Sequence, residues 1–199
     1  MAGTRAIAAT LNAIRHVLEV EAPATDFGGL QLQFAVYGPD DFRTGEVTSG
    51  ASIFLYRVLP NLSHRIPAGR LQPDGSRRRT QLPVDVHVLL TAWASSAATE
   101  NAIVGWMMRA LEDYPTLPAS ILNVSDPGVF RDEESVELVI GEMPGEELLH
   151  LWEVLGQGRY HVTIPYVARA IYIESQREMV GAGSVQTRAL DMRRFEASP

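Results

Sequence analysis

The chain has 199 residues, 46% of them hydrophobic, which is enough to bury the core of one globular domain. It contains no cysteine, so disulfides and thiolate-ligated metal sites are excluded. The formal net charge of −7 argues against a general nucleic-acid binder. No apolar run approaches the roughly 20 residues that span a bilayer, so direct membrane insertion is not expected.

The N-terminal part of the chain predicts one helix and two strands. Thr4 can cap a helix whose apolar residues recur at helical spacing on one stripe: Ile7, Leu11, Ile14 and Leu18. From Leu30 to Val36 apolar and polar residues alternate, which indicates a half-exposed strand. Gly38-Pro39-Asp40 breaks this strand, and a second strand follows over Ile53–Leu59.

A long arginine-rich loop separates the second strand from a third. It has no helical period, and the third strand, Leu82–Trp93, resumes a period-two alternation. Loops of this length inside compact domains are usually functional or disordered. Because no catalytic constellation accompanies it, we expect the loop to contact a partner rather than a substrate.

The middle of the chain predicts two helices around a short strand. Thr99 opens a helix that Tyr114-Pro115 closes, and the region from Thr116 to Asp132 is loop-like. A strand follows over Val136–Ile140. The next helix runs from Pro144 to Leu155 and is apolar nearly all round, so we expect it to be buried on more than one side.

The last strand, Arg159–Glu174, is unusually long, and Pro165 inside it indicates an edge position or a bulge. One face of this strand is predicted to carry Val162, Ile164, Tyr166, Ala168, Ala170 and Tyr172. The sequence therefore predicts a single α/β (α+β) domain of about five strands and three helices over residues 1–175. Residues 176–199 are polar and form a predicted C-terminal arm.

The charges are unevenly distributed along the chain. Residues 64–80 carry one aspartate and five arginines: Arg65, Arg70, Arg77, Arg78 and Arg79. Residues 112–147 carry ten acids and one arginine. A basic loop and an acidic half on one domain could meet between neighbouring copies in a head-to-tail ring. The plainer alternative, that both are solvated surface, stays open.

The sequence contains little that indicates catalysis. The five histidines are scattered, and none has the spacing of a helical metal-ligand pair. Asp85 and His87 lie two apart on one strand face and are the nearest candidates for an acid–base pair. Without a third partner, a structural role on the sheet is the favoured interpretation. We assign no catalytic, cofactor-binding or metal-ligating residue.

Three blocks of the chain resemble the cap, or tail-terminator, family of contractile injection systems, which are phage-tail-like particles. The first block joins Leu55-Tyr56-Arg57-Val58-Leu59-Pro60-Asn61, Arg65, Asp74-Gly75 and Leu82–Thr91. The others are Gly105–Leu111, and Leu148–Tyr166 with its Leu151-Trp152 and Tyr160…Ile164-Pro165-Tyr166. The resemblance extends from about Ile7 to Ser175.

This resemblance implies a structural protein with a mixed, mainly antiparallel sheet. Such caps form a six-membered ring at the end of the tail distal to the baseplate, where they stop polymerisation of the inner tube and the sheath. The implied partners are further copies of the chain in a homohexamer, the inner-tube protein and the sheath protein. The alternatives are a small α/β enzyme that uses Asp85 and His87, and another tail adaptor from the neck or baseplate.

We expect the C-terminal arm to contact a partner. Its candidate interface residues are Arg188, Arg193, Arg194 and Phe195, because arginines can bridge to carboxylates on an acidic neighbour. By resemblance, the arm would add a strand to the last sheath ring; a terminus without a role is the competing interpretation. The protein is expected in the cytoplasm, within an assembled particle that cell lysis could release.

Overall fold

A six-stranded mixed sheet with helices on both faces forms the centre of the computed structural model, which describes residues 3–22, 27, 30–45, 47–64, 70–71, 77–156 and 159–175. The elements in chain order are α1 (Ala6–Glu21), β1 (Gln33–Tyr37), α2 (Asp41–Thr44), β2 (Gly50–Pro60), a 3-10 turn (Leu62–His64), β3 (Arg70–Leu71), β4 (Arg77–Arg78), β5 (Leu82–Trp93), α3 (Ala97–Glu112), β6 (Thr116–Pro118), α4 (Ala119–Leu122), β7 (Ser135–Ile140), α5 (Gly145–Leu155) and β8 (Thr163–Ile173).

The strand order in the sheet is β1-β2-β5-β8-β7-β6. Only β1 and β2 are parallel, and every other neighbouring pair is antiparallel. The mainly antiparallel α/β domain expected from the sequence is therefore confirmed. The main core lies between one face of the sheet and α1, α3 and α4. A second, aromatic cluster lies on the other face, beneath α2 and α5.

The three predicted helices are present, with small corrections at their first turns. The stripe on α1 is buried at Leu11, Ile14 and Leu18, as its spacing predicted. The N-cap of α1 is Arg5, which makes no side-chain cap bond, so Thr4 does not cap it. α3 begins at Ala97 instead of Thr99, because the Ser96 hydroxyl accepts the Thr99 amide at 3.2 Å and satisfies the first turn.

The expected count of about five strands misses β6. Thr116–Pro118 falls in the region predicted to be a loop, and it pairs with Ser135–Glu137 of β7 at the edge of the sheet. β6 has only three residues, with Pro115 before it and Pro118 at its end, and such a short strand cannot show an alternating pattern. The four-residue helices α2 and α4 were missed for the same reason, and β3 and β4 form a separate two-stranded ladder inside the arginine-rich loop.

β8 contains a bulge, but it lies at Arg169-Ala170 rather than at Pro165. Both residues face Asp85 across the ladder, and Ala170 has a left-handed backbone with φ of 55°. The bulge exchanges the two faces of the strand, so Ile171 is buried where Ala170 and Tyr172 were predicted to share the core face. Pro165 lies just beyond the end of β7, and its carbonyl accepts the amide of Gly141. Its nitrogen, which has no hydrogen to donate, points to the same side, where β7 has ended, so no ladder bond is lost.

α5 contradicts the prediction of burial on more than one side. Trp152 is its one buried residue, whereas Leu149 and Val154 are 56% and 67% exposed. The helix packs on the sheet through one face, and no described residue covers its outer side. An apolar helical surface is thus left open beside the sheet.

Candidate interaction surface

Among the described residues, the outer edge of β2 has no partner strand along about half of its length. β1 pairs with β2 from Gly50 to Phe54 only, after which the chain turns away at Gly38-Pro39. β2 continues to Pro60 and stays paired with β5 on its other side. Within the described residues, no strand pairs with the outer edge of residues 55–60. A free edge of this kind presents backbone amide and carbonyl groups that can pair with another extended segment.

A groove of about 560 Å³ lies between α5 and two residues in this part of β2, Tyr56 and Arg57. One wall comes from β2 and the other from one face of the helix, whose contributing residues recur at helical spacing. The lining is Tyr56, Arg57, Pro144, Glu146, Glu147, His150, Leu151 and Val154. The groove therefore combines apolar side chains along its length with two carboxylates at the N-terminal end of the helix.

Arg57 and Tyr56 shape the β2 side of the groove. Tyr56 is the extra residue of a bulge in β2, between Leu55 opposite Val88 and Arg57 opposite His87. The Arg57 guanidinium carbon lies 5.6 Å from the centre of the Tyr56 ring, and one guanidinium nitrogen lies 3.8 Å from a carboxylate oxygen of Glu147. Burial raises the pKa of the Tyr56 hydroxyl more than Arg57 lowers it. Tyr56 is thus a neutral hydroxyl at physiological pH.

Trp152 holds α5 against the sheet through aromatic contacts. Its ring lies 5.7 Å from that of Phe42 and 6.2 Å from that of Trp93, with edge-to-face geometry in both pairs. The Trp93 indole donates to the Ser52 hydroxyl at 2.8 Å. His161 stacks on Trp93 at 4.5 Å, with its Nδ1 3.2 Å from a carboxylate oxygen of Glu100. Trp152, which belongs to the third block of the sequence that resembles the cap family, therefore positions the helical wall of the groove.

A second exposed apolar area lies at the end of the sheet that carries the arginine-rich loop. Val58, Leu59, Leu62 and Leu82 are each between 39% and 73% exposed. Beside them the short ladder of β3 and β4 sets Arg70 opposite Arg78 in register, and Arg77 opposite Leu71. Arg79 is exposed. Three predicted interface residues thus lie on one hairpin and a fourth follows it directly. The others, Arg65, Arg188, Arg193, Arg194 and Phe195, fall outside the described residues.

The acids of residues 112–147 belong to two parts of the fold. One group lies on and around the β6–β7 edge of the sheet, and the other belongs to α5 and the segment before it. Several already pair within the chain: Asp113 with Arg109, Asp126 with Arg5, Glu133 with Arg131, Glu137 with Arg169 and Glu147 with Arg57. Exposed pairs of this kind are worth less than about 1 kcal/mol, so they can exchange for contacts with another molecule.

Asp85 and His87 have different partners. The Asp85 carboxylate accepts the Ala170 amide at 2.8 Å and the Asn61 side-chain amide at 3.0 and 3.2 Å. It therefore closes the bulge in β8 and ties down the end of β2. His87 packs against Tyr56, and burial, followed by Arg57, lowers its pKa against the opposing effect of Asp85. These contacts agree with the structural role favoured from the sequence.

The described residues contain no group of three or more His, Cys, Asp or Glu side chains arranged to hold a metal ion. In the same part of the chain, no helix has both the length and the apolar character needed to cross a bilayer. The open edge and the groove are the features that sequence analysis missed. No signal in the sequence indicated them, because the two strands it predicts, residues 30–36 and 53–59, have equal lengths, and β2 proves longer than β1 only in the structure.

Comparisons with known proteins agree with this architecture. The family model of the Pvc16 N-terminal domain matches residues 9–187. Among solved structures, the chain is similar to the sheath/tube terminator of an extracellular contractile injection system, PVC, in its extended state. That likeness has a TM-score of 0.66 at 16% identity and covers 97% of this chain and 65% of the terminator.

A second similar structure is the tube terminating cap of the anti-feeding prophage. The TM-score is 0.56 at 19% identity, with 89% of this chain and 59% of the cap covered. The chain thus spans about three fifths to two thirds of the length of these two proteins. No curated protein sequence matches it.

Proposed function

This chain belongs to the Pvc16 N-terminal domain family, and from that membership we propose that it is the structural cap of a contractile injection system. The observation that carries the proposal is the family match over residues 9–187, supported by a likeness to a sheath/tube terminator that covers 97% of the chain. Its work is assembly: one face binds the last ring of the inner tube, and the cap then offers no site for a further ring.

The proposed active form is a homohexameric ring that also engages the last sheath ring. Head-to-tail contacts need two different surfaces on each copy. The β3–β4 hairpin with Arg79 can supply a basic surface, and the exposed acids around β6, β7 and α5 can supply its counterpart. The ring is proposed to assemble in the cytoplasm, with residues 1–175 as its body and residues 176–199 as an arm.

The enzyme alternative gains no support from the site. A general acid–base pair needs both groups directed at one reacting atom. Asp85 instead satisfies two groups of the fold, and His87 packs against an aromatic ring. We therefore propose a non-enzymatic role, without a cofactor.

Deletion of the gene tests the cap proposal directly. Without a terminator, tube and sheath should grow past their set length or fall apart. Particle lengths measured by electron microscopy in deletion and complemented strains give the result, and normal lengths with normal yield in the deletion strain would reject the proposal. Labelling the protein on intact particles separates a cap from a baseplate adaptor, because a cap lies at the end distal to the baseplate.

The role of the arginine-rich loop is tested by reversing the charge of Arg77–Arg79 to glutamate. If the loop faces a neighbouring copy, ring formation and its salt sensitivity should both fall. The matched control reverses Arg5, Arg43 and Arg109, which are all more than half exposed and change the net charge equally. Unaltered rings in the loop variant would remove the loop from the interface.

A further inference from the structure

The groove between β2 and α5 has the features of a site for an extended peptide segment. Along one side, Tyr56 and Arg57 belong to the part of β2, residues 55–60, whose outer edge pairs with no strand among the described residues. On the other side, Leu151 and Val154 offer an apolar wall. An added strand would form hydrogen bonds with the backbone amide and carbonyl groups of that edge, and it would place alternate side chains against the apolar wall.

The charges in the groove favour a cationic occupant. Glu146 and Glu147 are exposed at its rim, at the first turn of α5. The opposing cation, Arg57, lies 3.8 Å from Glu147, so that pair is loose and solvent-exposed. An incoming guanidinium could bind either carboxylate through two parallel hydrogen bonds. The groove therefore suits a segment that combines apolar residues with arginine.

This chain contains such a segment after β8. Residues 184–195 read Ser-Val-Gln-Thr-Arg-Ala-Leu-Asp-Met-Arg-Arg-Phe, in which apolar residues are interspersed with three arginines. β8 ends at Ile173 opposite Leu82, which is the same end of the sheet at which β2 finishes opposite Val84. The 24 residues from 176 to 199 can extend up to ~80 Å, far enough to reach an adjacent molecule.

We propose that residues 176–199 of one copy bind as an added strand in the groove between β2 and α5 of a neighbouring copy. The inference rests on the proposed ring, since it gives each copy a donor segment and an acceptor groove, the two unlike surfaces that head-to-tail closure requires.

Disulfide trapping tests the proposal, because the natural chain has no cysteine. Val154→Cys places a thiol in the groove of one full-length chain, and Leu190→Cys places one in the arm of another carrying a different tag. The two proteins are mixed under mild oxidation. The expected product is a mixed dimer containing both tags, formed about ten-fold faster than by random collision because docking raises the local thiol concentration.

The control for the groove is Val124→Cys, an exposed valine on the opposite face of the molecule, after α4. Equal trapping by Val124→Cys and Val154→Cys would overturn the inference. So would a double-cysteine chain that closes only an internal disulfide, since that places the arm in its own groove. Absence of any mixed dimer from chains that still form rings would overturn the inference and leave the proposed function intact.

Charge reversal supplies an independent measurement. Glu146→Arg with Glu147→Arg in the groove chain should reduce trapping, and Arg193→Glu with Arg194→Glu in the arm chain should restore it. Restoration shows that these charges face each other. Trapping that is insensitive to both reversals would refute the assignment of the arm's arginines to the rim. Loss of length control in a deletion strain is scored separately and does not depend on either result.

Discussion

Replacing Tyr166 with phenylalanine should stabilise the domain. Tyr166 is 2% exposed, in the main core, and its hydroxyl has no hydrogen-bond partner among the described residues. An unsatisfied buried hydroxyl costs about 1–3 kcal/mol. Removing one oxygen leaves a void that costs only a few tenths of a kcal/mol. The variant should therefore gain about 1–2 kcal/mol of unfolding free energy and melt about 3–6 °C higher.

The same substitution should change the stability at alkaline pH. Burial, with a smaller effect of Glu112, raises the pKa of Tyr166 to about 12. In the unfolded chain the tyrosine ionises near pH 10. Between these values the unfolded state has lost a proton that the folded state keeps. The free energy of unfolding is thus unaffected by this ionisation below pH 10, and it falls as the pH rises from 10 towards 12. Phenylalanine should make the decline shallower by up to ~1.4 kcal/mol per pH unit.

Urea denaturation followed by circular dichroism at pH 7, 9.5 and 11 measures both effects. Tyr172→Phe is the matched control, because Tyr172 lies on the same strand but is only partly buried; its stability should change by less than about 0.5 kcal/mol. A loss of more than about 1 kcal/mol in the Tyr166 variant would refute the reasoning, since it would show that the hydroxyl is hydrogen-bonded, for instance to a buried water.

Three further predictions concern the sheet. Gly50→Ala should cost more than about 3 kcal/mol in a urea titration, because its φ is +138° and the new Cβ would lie 1.9 Å from the Gln33 carbonyl oxygen; Gly105→Ala, in open space on α3, should instead gain about 0.5–1 kcal/mol. Asp85→Ala should cost about 2–3 kcal/mol by leaving its amide donors unsatisfied, and a cost below 0.5 would deny its role in the bulge. Burial is the main cause that lowers the pKa of His87, so the stability that its neutral form contributes is present above pH 6.5 and is lost as the pH falls. The free energy of unfolding of His87→Gln should therefore fall less than that of the natural protein between pH 7.5 and 5.5. An unchanged pH profile would contradict this.

The sequence predicted the elements whose hydrophobic pattern is long enough to show its period. The stripe of α1 and the alternation of β5 each extend over more than ten residues, and both are buried as expected. β6 was invisible because its three residues become a strand only by pairing with β7, which is a tertiary contact. The exchange of faces in β8 was hidden because the bulge uses Ala170, although glycine is the usual residue at positive φ.

The candidate site depends on relations between elements that no single stretch of sequence displays. The free edge exists because β1 has five residues and β2 has eleven, and the groove exists because α5 crosses beside the unpaired part. α5 is apolar nearly all round, and such a sequence predicts a helix that is buried on more than one side. In this domain the same composition leaves Leu149 and Val154 exposed, which is typical of a surface that binds a partner.

α5 is attached to the sheet by one fully buried side chain, Trp152, and by the half-buried Leu148, Leu151 and Leu155, which predicts how the domain opens. A helix that buries so little of its surface can detach without unfolding the sheet, so its amides should exchange with solvent deuterium long before those of β5 and β8. An arm bound in the groove would tie the helix to β2 and slow that exchange selectively. Deuterium uptake by α5 would thus report whether the groove is filled, in free protein and in assembled particles alike.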